Sequence, residues 1–320
     1  MQLTSLGTTG LHVSRLALGT QNFGWQLDLT AAGQVLDAAA DAGITFLDTA
    51  DAYPGSEDTL GQLLQGRRDD FILATKGGGP VGRRAWDSGT SRKHLLDAVD
   101  ASLRRLRVDY VDVYFPHVYD ARTPIEETLG ALDTIVTSGR ARYIGASNYL
   151  AYQLARALGR SEVLGAARFV CTQTRYNLLS REAERELAPL CEDESLGILA
   201  YNPLAGGLLT GKHDPAEGPQ DGTRFGATAG PFGAVYRDRY WHAEQFDTVA
   251  ELVRIATQAG LDPVTMAVAF TLELPALTST IVGASRPDQL AAVLAALDLR
   301  LDPDLITTLR ATTHRWRTTD

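Results

Sequence analysis

The chain has 320 residues, of which 44% are hydrophobic, 22% are charged and 8% are aromatic. That composition is typical of a globular protein and excludes disordered, fibrous and low-complexity classes. The formal net charge of −9 argues against a general nucleic-acid-binding protein, because phosphate neutralisation needs a basic face. No apolar run approaches the roughly 20 residues of a membrane span, and the N-terminus lacks the layout of a signal peptide. We therefore expect a cytoplasmic protein without nucleic-acid or membrane partners.

Cysteine and lysine are both scarce in this chain. Cys171 and Cys191 are the only cysteines and have no CxxC spacing, so the sequence predicts neither a disulfide framework nor a metal site. Of the 30 lysine and arginine residues, only Lys76, Lys93 and Lys212 are lysine. This bias is typical of a GC-rich bacterial coding sequence. A lysine that persists under it is a candidate functional residue, because its pKa can be tuned and that of arginine cannot.

Strand-like and helical patterns alternate along the chain. The opening segment, LTSLGTTGLHVSRLALG, predicts a hairpin around Thr8-Thr9-Gly10. Eight strand-like runs follow at 15–18, 44–48, 71–76, 110–115, 141–146, 168–172, 196–201 and 280–282. Helical patterns lie between them, and three have start signals: Thr30 for 30–42, Ser91 for 91–106 and Pro124 for the third.

This alternation indicates βαβ units in a parallel sheet. Eight repeats, on average about 35 residues apart, fit an α/β fold of the (β/α)8 TIM barrel type better than a doubly wound sheet of five or six strands. We expect one barrel domain over 1–320, with an N-terminal β-hairpin and an extra C-terminal helix. The segment 204–240 is rich in glycine and proline and lacks periodicity, which predicts a long functional loop.

The active site of such a barrel lies at the C-terminal ends of its strands. Three successive strand ends carry an acid and a phenol, an ammonium, and an imidazole: Asp48 and Tyr53, then Lys76, then His117. Later strand ends carry Ser147, Asn148, Gln173, Tyr201 and the segment Gly283–Ser285.

Each of these side chains alone is more often structural, as a cap, a core cover or a satisfied imidazole; their convergence favours catalysis. A lysine that points into the barrel mouth needs an anion, and Asp48 on the neighbouring strand supplies one. The Lys76 ammonium is expected to lower the pKa of Tyr53, which then acts as a general acid. His117 would polarise a carbonyl oxygen. No Ser-His-Asp relay or metal site is apparent, which disfavours a hydrolase.

Seven motifs in order carry a resemblance to a known family. They are LDTADAY (47–53), ATK (74–76), FPH (115–117), GASNY (145–149), TQTRYNLLSRE (172–182), AYNPLAGGLLTGK (200–212) and IVGASRPDQL (281–290). Over essentially the whole chain, the sequence resembles the aldo-keto reductases, in particular the bacterial branch similar to potassium-channel β subunits. The resemblance implies a catalytic tetrad of Asp48, Tyr53, Lys76 and His117, with Tyr53 protonating a carbonyl oxygen as nicotinamide delivers hydride.

The same resemblance implies an NADP(H) site. Ser147, Asn148 and Gln173 match positions that bind the nicotinamide carboxamide, and Tyr201 matches the residue that stacks on the nicotinamide ring. The remaining positions implied by the resemblance are Thr20, Asn202, Leu204, Gly206, Leu208, Lys212, Arg224, Gly283, Ser285, Arg286 and Gln289. Many members carry an acid and an asparagine where this chain has Ala292 and Val293, a departure at the adenine contact.

The substrate pocket is expected beyond the strand ends. The candidates are Trp25, Trp86 and Tyr119, joined by Pro54, Phe225, Phe232 and Tyr236. This aromatic rim suits an apolar or a sugar-like carbonyl compound equally well.

Three functions remain open. The first is an NADPH-dependent reductase of an aldehyde, ketone or keto-sugar. The second is a nucleotide-binding regulatory subunit similar to potassium-channel β subunits. The third is a dehydrogenase or enoyl reductase of the same fold that acts on a sugar or in a secondary-metabolite pathway. A small-molecule carbonyl partner is expected, and homo-oligomerisation is left open.

Overall fold

The computed structural model describes residues 1–318, and within them eight parallel strands form a closed barrel. The barrel confirms the predicted (β/α)8 architecture, and each strand pairs with its neighbours in chain order until the last strand pairs with the first. The eight strands are β3 (Leu16–Gly19), β4 (Phe46–Asp48), β5 (Ile72–Gly77), β6 (Val111–Pro116), β7 (Ala141–Ser147), β8 (Phe169–Arg175), β9 (Gly197–Tyr201) and β10 (Leu277–Val282).

The predicted N-terminal hairpin is also present, as β1 (Leu3–Ser5) and β2 (His12–Ser14) in an antiparallel pair. Leu6 and Val13 are fully buried and pack in one cluster with side chains from inside the barrel, such as Phe46 and Phe115. The hairpin therefore covers one end of the barrel, and the opposite end is the one that the strands' carboxyl termini form.

Helices surround the barrel and pack their apolar faces on the outside of the sheet. Within residues 1–318 they are α1 (Leu29–Asp41), α2 (Ser56–Leu63), α3 (Arg92–Leu106), α4 (Ile125–Thr137), α5 (Ala151–Leu164), α6 (Leu187–Asp193), α7 (Gly230–Tyr240), α8 (Ala243–Gln258), α9 (Pro263–Leu272), α10 (Leu290–Ala295) and α11 (Pro303–Thr312). The last of these is the expected C-terminal helix. No helix of this described part is long and apolar enough to cross a membrane.

Helix starts were predicted with mixed success. Ser91 caps α3 by accepting a hydrogen bond from the backbone of His94, as expected. The prediction for α1 was wrong: Asp28 is the N-cap, because its carboxylate accepts the Ala31 amide, and Thr30 lies inside the first turn. An aspartate two residues earlier offers the same capping chemistry as threonine.

The segment 204–240 is more ordered than a loop. It contains a 3₁₀ turn at Ala205–Thr210 and the 11-residue helix α7. Aromatic packing explains this order, because the buried Phe225 ring contacts Tyr236 of α7 and Trp241 just after it. The helical periodicity is absent because α7 lines the cavity along its length, from Phe232 to Arg239, and has few buried residues.

Candidate active site

A cavity of about 670 Å³ opens at the C-terminal ends of the barrel strands, within the size range of ligand-binding pockets. Of the site residues predicted from the sequence, the following line it: Asp48, Tyr53, His117, Asn148, Gln173, Tyr201, Asn202, Leu204, Gly206, Lys212, Arg224, Gly283, Ser285 and Gln289. The strand ends therefore bring the catalytic and cofactor candidates to one mouth.

Lys76 and Asp48 form a buried ion pair at the floor of this cavity. The Lys76 Nζ donates to Asp48 Oδ2 at 2.6 Å and to the Thr49 carbonyl at 2.8 Å. Neighbouring strands supply the two charges, since Asp48 ends β4 and Lys76 lies near the end of β5. The Lys76 side chain is fully buried, so it acts on the cavity only through its charge and through the groups that it holds.

Tyr53 lies directly above this pair. Lys76 Nζ is 5.1 Å from the centre of the Tyr53 ring, and the His117 ring meets Tyr53 edge-on with centroids 5.7 Å apart. Burial, followed by the negative charge of Asp48, raises the pKa of Tyr53 well above its usual range. The expectation that Lys76 lowers this pKa is wrong here, because burial of the phenol and the nearby Asp48 carboxylate outweigh the Lys76 charge. Tyr53 therefore keeps its proton.

His117 follows β6, and its backbone amide donates to the Gly77 carbonyl at 2.8 Å. Burial, together with the positive charge of Lys76, lowers the pKa of His117 to about 3. The imidazole is therefore neutral near pH 7 and can donate one N–H to an oxygen atom in the cavity.

Asn148, Gln173 and Tyr201 form the next part of the wall. Gln173 Nε2 donates to Asp48 Oδ1 at 2.8 Å, which leaves its carbonyl oxygen for a ligand amide. Asn148 adopts a left-handed backbone (φ 57°), and its Oδ1 accepts the Tyr201 hydroxyl at 2.8 Å. Its amide nitrogen donates to the His117 carbonyl and to Ser147 Oγ. Asn148 must therefore exchange one of these bonds to bind a carboxamide.

The turn after β9 is shaped for close approach of a ligand. Gly206 has φ 72°, and a Cβ there would lie 2.7 Å from the Tyr236 ring. Asn202 Oδ1 accepts the Gly206 amide at 2.7 Å and fixes the turn. Lys212 and Arg224 line the same region, and a cationic wall beside bare backbone suits phosphate groups.

Several predicted site residues lie outside this cavity lining. Thr20 is buried and bonds the Asp48 carbonyl and Ser56, Ser147 lies behind Asn148, and Leu208 is in the core. Arg286 is exposed and pairs with Asp288. The three substrate candidates are not themselves in the lining: Trp25 packs on Phe232, which does line the cavity, Trp86 lies beneath Arg84 at 50% exposure, and Tyr119 packs on Tyr149.

The cavity also has lining residues that the sequence reading missed. They are chiefly Gln21, Asn22, Val118, Val235, Val264 and Arg239. Asn22 donates to the Ala284 carbonyl, and its buried Oδ1 has no partner among residues 1–318. Asn22 was predictable, because it follows the end of β3 by three residues. Val235 and Arg239 were not, because they lie on α7, for which the sequence predicts a loop.

Comparison with known proteins agrees with this geometry. The family model described as "Aldo/keto reductase family" matches residues 15–313. The chain belongs to the aldo/keto reductase family. It is therefore an oxidoreductase that acts on carbonyl compounds, built on the barrel described above.

Curated relatives of this aldo/keto reductase span nearly the whole chain. An uncharacterised oxidoreductase of Bacillus subtilis, YrpG, is 36% identical and covers 96% of this chain and 94% of its own. A protein of Oryza sativa named as a probable voltage-gated potassium channel β subunit is 35% identical, with 97% and 96% covered. The L-glyceraldehyde 3-phosphate reductase of Escherichia coli K12 is 34% identical, with 93% and 88% covered.

Proposed function

We propose that this aldo/keto reductase reduces an aldehyde, ketone or keto-sugar with NADPH, and that Tyr53 protonates the carbonyl oxygen. The observation that carries the proposal is the protonated, buried Tyr53 between the Asp48–Lys76 pair and a neutral His117. NADPH, when bound, would supply the hydride for the carbonyl carbon. As the C=O bond becomes C–O, the developing negative charge on oxygen takes the Tyr53 proton.

The surrounding residues have distinct parts in this step. The Lys76 ammonium stabilises the phenolate that Tyr53 becomes, and Asp48 holds the ammonium in place. The neutral His117 donates an N–H to the same carbonyl oxygen and orients it towards the Tyr53 hydroxyl.

The residues present fit a nicotinamide dinucleotide. Gln173 has a free carbonyl oxygen for the carboxamide, and Tyr201 offers an aromatic face beside it. Lys212 and Arg224 supply positive charge for phosphates, and Arg224 lies next to Gly283, with Ser285 further along the same wall. This cationic set supports NADPH over NADH. Ala292 and Val293 line the cavity as apolar contacts, so binding would rest on the phosphates.

Replacement of Tyr53 by phenylalanine tests the proposal. Tyr53→Phe removes the proton donor, so NADPH oxidation with an aldehyde panel should fall by roughly 10²- to 10⁴-fold, while NADPH fluorescence titration gives an unchanged Kd. Tyr152→Phe is the control, because Tyr152 is 64% exposed on α5. Wild-type turnover in Tyr53→Phe would refute the mechanism.

A regulatory subunit is the second candidate, because several relatives carry the name of potassium channel β subunits. That function predicts tight NADPH binding with very slow turnover, and a tetramer on a membrane partner. A dehydrogenase or enoyl reductase of the same fold is distinguished by product analysis. We favour a cytoplasmic enzyme with a small carbonyl substrate, with homo-oligomerisation to be measured by light scattering.

A further inference from the structure

The cavity wall is strongly cationic although the chain as a whole carries a net charge of −9. Among its described lining residues, Asp48 is the one carboxylate, and Lys76 neutralises it. Lys212, Arg224 and Arg239 line the same space. None of these three forms an ion pair within residues 1–318. A cleft lined by one sign of charge concentrates ligands of the opposite sign.

Two of the three cations, Lys212 and Arg224, lie where they could bind the phosphates of a dinucleotide. Lys212 lies beside Gly207 of the turn after β9, where its Cε is 3.9 Å from the position of a Cβ on Gly207. Arg224 bonds Gln21 and lies 3.6 Å from the equivalent position on Gly283, at the end of β10. Both turns expose backbone to the cavity, and exposed backbone in such turns binds phosphates.

Arg239 lies at a different place. It belongs to α7, it is half-buried, and its guanidinium forms no ion pair within the described residues. The guanidinium lies beside the Tyr201 hydroxyl: burial raises the pKa of that tyrosine, and the charge of Arg239, together with its hydrogen bond to Tyr201, opposes this effect. A half-buried guanidinium without a counter-charge is unfavourable unless a ligand supplies one.

Hydrogen bonds connect this position to the reacting groups. The Tyr201 hydroxyl beside Arg239 donates to Asn148, and Asn148 donates to the His117 carbonyl at 2.9 Å. His117 contacts Tyr53. Arg239 therefore borders the end of the cavity at which nicotinamide and a carbonyl compound would meet, whereas Lys212 and Arg224 border the phosphate region.

We propose that Arg239 binds a carboxylate or phosphate of the substrate, so that the enzyme prefers anionic aldehydes or ketones to neutral ones of the same shape. The inference rests on the proposed reductase function and specifies its substrate class. An arginine suits this role because its planar guanidinium binds both anions through two parallel hydrogen bonds.

Pairs of aldehydes of similar shape, one anionic and one neutral, test the inference. The carboxylate pair is 4-carboxybenzaldehyde and 4-formylbenzamide, and the phosphate pair is 4-formylphenyl phosphate and 4-formylphenyl methanesulfonate. For the wild type, kcat/KM should be higher for the anion of at least one pair, and Arg239→Gln should lower that value by about 10- to 100-fold. The neutral aldehyde should change less than twofold, and Arg239→Lys should restore part of the loss. The pair with the larger loss identifies the anion.

Two controls separate this effect from charge and cofactor effects. Arg254→Gln changes the net charge equally at an exposed α8 residue paired with Glu251, and should leave all four substrates unaffected. The Kd of NADPH, measured by fluorescence, should be the same in Arg239→Gln and wild type. A higher Kd in the variant would show that Arg239 binds the cofactor and would overturn the inference. Equal losses for charged and neutral aldehydes would also overturn it. Absence of turnover with every aldehyde would refute the proposed function as well.

Discussion

Lys76 Nζ lies 2.6 Å from Asp48 Oδ2 with almost no solvent access to either side chain, so each charge depends on the other. Lys76→Met would leave the Asp48 carboxylate buried without its cation. We expect a loss of about 3–5 kcal/mol in the free energy of unfolding, together with loss of reductase activity. Urea titration followed by circular dichroism measures the first, and NADPH oxidation the second.

The chain provides a matched control for this substitution. Lys93 pairs with Asp97 on the surface of α3, with both side chains more than 60% exposed. Lys93→Met should therefore change the free energy of unfolding by at most about 1 kcal/mol and leave activity intact. Equal destabilisation by the two substitutions would contradict the buried character of the Asp48–Lys76 pair.

The low pKa of His117 predicts a pH-dependent stability. Because this pKa is about 3 in the folded protein and near 6.5 in the unfolded chain, the unfolded state binds more protons between these values. His117 therefore destabilises the fold as pH falls from 6.5 towards 3, by at most about 1.4 kcal/mol per pH unit. His117→Asn should remove this part of the pH dependence, whereas His12→Asn in the exposed hairpin should not. Parallel denaturation curves at pH 4, 5, 6 and 7 measure the difference.

Asp51 should show the opposite pH dependence. Burial, followed by the charge of Glu57, raises its pKa to about 7, and neither carboxylate oxygen has a hydrogen-bond partner within residues 1–318. The folded state therefore binds more protons between pH 4 and 7, so this carboxyl destabilises the fold as pH rises through that window. We expect Asp51→Asn to raise the free energy of unfolding by about 1–4 kcal/mol at pH 8, with a smaller gain at pH 5.

Asp58→Asn is the comparison for that experiment, because Asp58 is an exposed carboxylate in the first turn of α2. It should lower the stability slightly at both pH values, since it removes a favourable charge near a helix N-terminus. A gain from Asp51→Asn that is independent of pH would show that Asp51 is not protonated in the folded protein.

The sequence was informative wherever function depends on a strand end. The order of strands and the location of Asp48, Tyr53 and His117 follow from alternation and from the rule that barrel sites lie at carboxyl ends. To locate these residues it is enough to identify each strand and the direction in which it runs. The structure then confirmed the barrel, the hairpin and the C-terminal helix, and it placed most of the cofactor candidates in one cavity.

The sequence was uninformative where packing decides the outcome. Trp25 and Trp86 are aromatic residues in mouth loops, but Trp25 packs on Phe232, which lines the cavity in its place, and Trp86 lies beneath Arg84. The direction of the Tyr53 pKa shift does not follow from the sequence, because it depends on the burial of the phenol and on the pairing of Lys76 with Asp48. Arg239 was missed because α7 has few buried residues and so lacks a helical pattern.

Gly77, which follows Lys76 and ends β5, is expected to accept a side chain only with a loss of stability. A Cβ at this position would lie 2.0 Å from the Tyr114 hydroxyl and 3.2 Å from Ala98 Cβ, so Gly77→Ala should cost about 1–3 kcal/mol of unfolding free energy. The Tyr114 hydroxyl is buried without a partner among residues 1–318, so Tyr114→Phe alone should be nearly neutral and should recover part of the loss when combined with Gly77→Ala.

A double-mutant cycle measured by thermal unfolding decides this prediction, because clashing neighbours give a coupling energy of about 0.5–3 kcal/mol. Gly130→Ala is the control: Gly130 lies within α4 and a Cβ there would meet nothing within 4 Å. That substitution should stabilise the protein by up to about 1 kcal/mol, since alanine is the better helix former. Additive effects of Gly77→Ala and Tyr114→Phe would show that the tyrosine hydroxyl is not what excludes a side chain next to the catalytic lysine.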